Sequence, residues 1–144
     1  MARPKGMRVV EENEVVLVDT GGRVRAKMDV SEQGPTFNLY DASGQPRLVA
    51  GVASAGASLA LYDATGRARA GLSVTASGPC LRLYDDKGNV RARLDVGEAG
   101  PGLLFDDDKG QSRLGLTVSA YGPEVNMFDA QGKPLCSFPS TPTE

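Results

Sequence analysis

The sequence has no histidine, no tryptophan, two cysteines and only 6% aromatic residues. Without histidine it lacks the commonest metal ligand and the usual general base at neutral pH. Cys80 and Cys136 are too few for a disulfide framework. Neither sign of charge dominates: 16 Lys and Arg stand against 18 Asp and Glu, for a formal net charge of −2. The basic residues are spread evenly, so there is no cationic face of the kind nucleic acid requires. No segment approaches the roughly 18 apolar residues of a membrane helix. The start, MARPKGMRVV, is basic but carries no apolar run of signal-peptide length. These absences lead to the expectation of a cytoplasmic protein, or part of a cytoplasmically assembled particle, with no cofactor, no membrane and no nucleic-acid partner.

Glycine is plentiful, with 18 in 144 residues, and it keeps time. Gly22, Gly34, Gly44, Gly56 and Gly66 begin a series that runs to Gly132 with gaps of 12 and 10 in strict alternation. The unit is therefore 22 residues, two strands and two tight turns, and nearly six copies fill the chain. One hairpin-repeat domain is expected over 11–138, with an N-terminal tail or partial strand over 1–10 and a C-terminal tail over 139–144. Within the first ten residues Arg8–Val10 reads as half a strand, and 11–14 as a polar turn.

The first turn of each copy is Asp-x-x-Gly, from Asp19–Gly22 to Asp129–Gly132. Asp accepts bonds from nearby amides at the opening of a type I turn, and Gly takes the positive φ that closes it. The second turn also ends in Gly, followed by Pro35, Pro79, Pro101 and Pro123, with Ala57 the exception. Between turns, apolar residues alternate with polar or small ones, as in Met28/Ala50/Leu72/Leu94/Leu116 and Leu39/Leu61/Leu83/Phe105/Met127. Period two means strands with one apolar and one wet face. On this alternation Cys80 and Cys136 point to opposite faces, which opposes an internal bridge.

Register follows from parity, because directly paired residues share a face. A three-residue loop at Asp19 would set Leu17 against Arg25. Four-residue loops pair Leu17 with Val24 and Met28 with Phe37, keeping apolar columns together. The same register puts Arg25 opposite Tyr40, Arg47 opposite Tyr62, Arg69 opposite Tyr84, Arg91 opposite Asp106 and Arg113 opposite Phe128. A guanidinium can stack on the ring or pair with the carboxylate.

The predicted fold is all-β: tandem 22-residue β-hairpins in an antiparallel meander of about 12 strands. The alternative is a β-solenoid with two strands per coil, which would stack like charges at about 4.8 Å. The unequal half-periods are expected to slide the sheet by two residues per hairpin, tilting the strands toward a coiled or closed sheet. The apolar face is then covered by flattening into a barrel or sandwich, or by other subunits.

Chemistry has few places to sit. The acidic turn at Asp106, Asp107 and Asp108 is the best calcium candidate, although one loop supplies too few oxygens unaided. A sugar- or anion-binding strip could run along Arg25, Tyr40, Arg47, Tyr62, Arg69, Tyr84 and Arg91, most basic where Arg82 lies near Arg91. Asp29 and Asp95 are lone carboxylates on the wet face. Cys80 is a thiol on that face, and Cys136 a small hydrophobe in an apolar column.

At YDASGQPR (40–47), YDATGRAR (62–69) and YDDKGNVR (84–91) the chain resembles the YD repeats of bacterial Rhs-type and toxin-complex shells. Asp106 and Phe128 replace the tyrosine in later copies, and the second turn departs from that pattern. The resemblance implies a structural wall built of tandem hairpins, and no activity. The expected function is a non-enzymatic structural or assembly module that self-associates or builds into a fibre, shell or scaffold, with copies of itself or other protein subunits as partners. The alternative is a binding module for glycan or calcium.

Overall fold

A computed structural model describes residues 13–139, and among them there are twelve β-strands and no helix. The strands are β1 (Glu14–Val18), β2 (Val24–Ser31), β3 (Gly34–Tyr40), β4 (Pro46–Ala53), β5 (Gly56–Tyr62) and β6 (Ala68–Thr75), then β7 (Gly78–Tyr84), β8 (Val90–Gly97), β9 (Gly100–Asp106), β10 (Ser112–Ser119), β11 (Gly122–Phe128) and β12 (Pro134–Phe138). The tail expected at 1–10, its half-strand Arg8–Val10 and all but Pro139 of the C-terminal tail lie outside the described residues. Of the polar turn expected over 11–14, residues 11 and 12 also lie outside the described residues, and Glu14 belongs to β1. All twelve strands form one sheet in chain order, each antiparallel to the next. Antiparallel pairing rules out the solenoid alternative.

Two kinds of turn alternate. In the first, at Asp41, the Gly44 amide donates to the Asp41 carbonyl at 3.1 Å and the Asp41 amide donates to the Gln45 carbonyl at 3.0 Å. Gly44 takes φ +83°, so this is a type I turn closed by a left-handed glycine, with three residues in the loop. In the second kind only Ser54 and Ala55 lie between the paired Ala53 and Gly56.

The three-residue loop corrects the expected register. Continued without interruption it would oppose Leu39 to Arg47 and mix the two faces. Instead a β-bulge skips the arginine: Tyr40 pairs with Pro46, and Leu39 with Leu48. The first hairpin does the same, so Leu17 meets Ala26 and not Val24, with Arg25 the extra residue. Arg69, Arg91 and Arg113 occupy this place in the next three hairpins, and Leu135 in the last. Across the second turn Met28 pairs with Phe37 as expected.

Together the two registers carry each residue onto its equivalent in the next copy. Leu17, Ala26, Leu39, Leu48, Leu61 and Ala70 follow one another across six strands in a straight row. The expected two-residue slide per hairpin is therefore absent, because the bulge absorbs it. A sheet without that stagger lacks the shear that barrel closure requires. The sheet is open, and among the described residues each strand touches only its neighbours in sequence, so neither a flattened barrel nor a sandwich forms within the chain.

One layer leaves both sides uncovered, and not equally. Ala26 and Cys80 are the only buried hydrophobic residues among those described. The apolar columns are open, with Met28 56%, Leu72 48% and Leu94 47% exposed. The other side is lined by small residues over which neighbours lean: Tyr84 over Gly71, and Leu104 over Gly115. In β3 and β7 the polar-side positions are consequently less exposed than the apolar ones. The face expected to be buried is the one left open.

Candidate functional site

The polar side carries the arginine and tyrosine columns. Being the extra residue of a bulge, each arginine reaches both its own turn and the next hairpin. Arg47 Nε donates to the Tyr62 carbonyl at 2.8 Å, Arg25 to that of Tyr40 at 3.2 Å, Arg69 to that of Tyr84 at 3.2 Å and Arg91 to that of Asp106 at 2.8 Å. The arginine therefore binds the backbone carbonyl of the residue expected opposite it, and Arg91 takes the Asp106 carbonyl and the Asp85 carboxylate in place of the expected Asp106 carboxylate. The other arm of the fork meets the turn aspartate six residues earlier: Arg25–Asp19 at 3.6 Å, Arg47–Asp41 at 3.5 Å, Arg69–Asp63 at 3.3 Å and Arg91–Asp85 at 3.6 Å. Arg113 pairs with Asp107 and also donates to the Ala130 carbonyl at 3.2 Å. Tyr40, Tyr62 and Tyr84 are half-buried between these groups. The strip proposed for sugar or anion binding is thus a row of locks between hairpins, with its guanidinium groups engaged.

The turn aspartates are engaged as well. Asp41 Oδ1 accepts from the Ser43 hydroxyl at 2.6 Å, the Ser43 amide at 2.9 Å and the Gln45 amide at 3.1 Å. The Ser43 hydroxyl, then the two amides and Arg47, outweigh partial burial and hold the Asp41 carboxyl down at about 2. Thr65 does the same for Asp63, whose carboxyl lies well below the usual range. At Asp85 partial burial is the largest single influence and pushes upward, yet Asn89, the Lys87 amide and Arg91 together bring it to about 2.

The acidic stretch is divided between separate partners. Asp107 Oδ1 accepts from the Lys109 and Gln111 amides at 2.9 and 3.0 Å, and its other oxygen faces Arg113. Asp106 Oδ1 accepts from the Ser112 hydroxyl at 2.6 Å, and Asp108 is exposed. No group of three or more His, Cys, Asp or Glu among the described residues is placed to hold a metal ion.

A shallow cleft of about 350 Å³ crosses β6 to β8, where Ser73, Cys80 and Asp95 meet in one row and Arg82 faces Arg93 in the next. Arg82 thus neighbours Arg93 across the strands, not Arg91. Arg93 lies 3.1 Å from Asp95, and Asp29 accepts from Thr36 Oγ1 at 2.8 Å, so neither carboxylate is alone. The Arg93–Asp95 pair was available to sequence reasoning, since residues two apart on a strand share a face. Cys80 is buried on this side, and Cys136 stands exposed on the other, opposite Met127, because nothing covers its column. No helix among the described residues is long and apolar enough to cross a membrane.

No protein-family model matches the chain, and no curated protein matches it.

Proposed function

We propose that the chain is a non-enzymatic structural module that self-associates through its apolar side and builds into a larger particle, a fibre, shell or scaffold. One observation carries the reading. The apolar rows run unbroken across an open single-layer sheet, with Met28, Leu72, Leu94 and Val118 each about half exposed or more. Twelve strands at 4.7–4.9 Å spacing make this band roughly 50 Å long. Three alternating columns at about 3.4 Å rise per residue make it roughly 14 Å wide, so its area of about 700 Å² exceeds the largest apolar patch on a typical monomer, about 300–600 Å². Laying one such face on another buries both, as two sheets do in a sandwich. The polar side contributes less, because its turn carboxylates and bulge guanidinium groups are committed to each other and to backbone. The likeness of the turns to YD repeats, which build walls from hairpins, points the same way.

Light scattering tests this. The wild-type chain should exceed one chain in mass at micromolar concentration. Leu72→Asp with Leu94→Asp puts charge into the middle of the band, where a partner would bury it unpaired at a cost of several kcal/mol. That double variant should fall well below the wild-type mass at the same concentration, with its strand circular dichroism intact. A wild-type protein that stays monomeric would sink the reading.

A further inference from the structure

We infer that copies of this chain add head to tail, the β12 edge of one copy pairing antiparallel with the β1 edge of the next in the register the chain uses between its own hairpins. The inference rests on the self-association reading and adds which second surface extends the assembly.

Phase is the first support. Strands alternate between a shorter kind that precedes an Asp turn and a longer kind that follows it, and β1 is of the first kind and β12 of the second. After β12 the pattern calls for a strand of the β1 kind. Moving the β2–β3 pairs Ala26–Leu39 and Met28–Phe37 along by whole 22-residue repeats sets Cys136 opposite the next copy's Leu17, and Phe138 opposite its Val15. The row that begins at Leu17 and ends at Cys136 would then continue into the neighbour without a break.

The second support lies in the locking column. Between hairpins inside the chain, Arg25, Arg47, Arg69 and Arg91 bind the carbonyl of the residue opposite. At the two ends both members of the column are aliphatic: Leu135 holds the arginine's place and is 67% exposed, and Val18 holds the tyrosine's and is 59% exposed. In the inferred junction these two meet each other, so an apolar contact replaces the guanidinium bond. Leucine in a column otherwise arginine, and valine in one otherwise Tyr, Asp or Phe, make a matched pair only across two copies.

Among the described residues the β1 edge is also unguarded. Its sequence, EVVLV, has neither the lysine nor the proline that usually blunts an edge strand, and Val15 to Val18 are all exposed. Because the Asn13 carbonyl accepts from Val30 in β2, alternation along the strand turns the amides of Val16 and Val18 outward. Such a contact is heterologous, and it closes a ring or runs on as a fibre according to the rotation between copies.

Two variants of the full chain test this. Val16→Pro removes an outward donor without touching a bond to β2, and proline is tolerated on an edge with its nitrogen toward solvent. It should reduce wild-type assemblies to face-paired dimers. Leu17→Cys would place a thiol opposite Cys136 of the next copy, with the two Cα atoms about 4.5 Å apart and within disulfide reach. Mild oxidation of that variant should then give a ladder of covalent multimers, each bridge joining the introduced thiol to Cys136, and adding Cys136→Ser should abolish the ladder. Assemblies whose size Val16→Pro leaves unchanged, or a Leu17→Cys chain that forms no ladder, would overturn the head-to-tail junction while leaving face pairing in place. A wild-type chain that is single at every concentration would overturn both.

Discussion

Glycine holds two distinct posts in this chain, and they differ in what a methyl group would meet. At Gly44 the backbone is left-handed, φ +83°, with nothing within 4 Å of a Cβ. At Gly56 φ is +131° and a Cβ would sit 2.0 Å from the Val74 carbonyl oxygen of β6, the strand paired with its own. Gly44→Ala should therefore cost only the left-handed penalty, about 1 kcal/mol. Gly56→Ala adds a collision with backbone that cannot move aside, and should cost about 3 kcal/mol or more. Urea denaturation midpoints of the two variants check this, and equal midpoints would show that Gly56 is a turn residue and nothing more. Arginine is as specific as glycine here. Its planar fork reaches a carbonyl in one direction and a carboxylate in the other, which a lysine ammonium cannot do with the same geometry.

At the scale of the element, the Asp turn and the arginine bulge are one device. The aspartate gathers two loop amides on one oxygen and faces the bulge arginine with the other, so the turn, the extra residue and the next strand are tied together. The tie depends on the carboxylate being ionised. Asp41 and Asp85 are held at about 2 against an ordinary 3.8, and Asp19, Asp63 and Asp107 are lowered too. A carboxyl lowered in the folded state favours folding above its unfolded value and loses that contribution as pH falls toward the folded one. Stability against urea should be level from pH 7 to about 5 and fall between about pH 4 and 2. Asp41→Asn with Asp63→Asn should begin lower and fall less over that interval. A wild-type profile flat to pH 2 would show that the turns do not depend on charge.

For the whole molecule, the bulge decides between a barrel and a ribbon. Each hairpin would otherwise gain a two-residue stagger, and six of them would tilt the strands toward closure. With the stagger absorbed, the apolar rows lie straight and the sheet has two ends and an open face. A single layer has no interior from which to draw hydrophobic stabilisation. Under the proposed self-association a partner supplies it, and stability then depends on concentration. The melting midpoint of the wild-type chain should rise by about 2 °C or more for each tenfold increase in concentration. The Leu72→Asp, Leu94→Asp variant should show a smaller rise. A midpoint independent of concentration in both would mean that the exposed rows contribute nothing through a partner.

The residue order by itself determined the twelve strands, their antiparallel order, the turn chemistry at Asp and Gly, the separation of Cys80 from Cys136, and the facing of Arg47 and Tyr62. All of these follow from local rules: the positive φ a tight turn requires, the period of two along a strand, and the shared face of paired residues. Loop length alone misled, since it pointed to Leu17 against Val24, a sliding sheet and a closed or folded-over body. Only the tertiary structure decided that Arg25 and its equivalents step out of the ladder, because a bulge is stabilised by bonds to a neighbouring hairpin that no single repeat contains. The exposure of the apolar rows was decided at the same level. Alternation says which residues share a side, whereas closure depends on stagger summed over six hairpins, and that sum is zero.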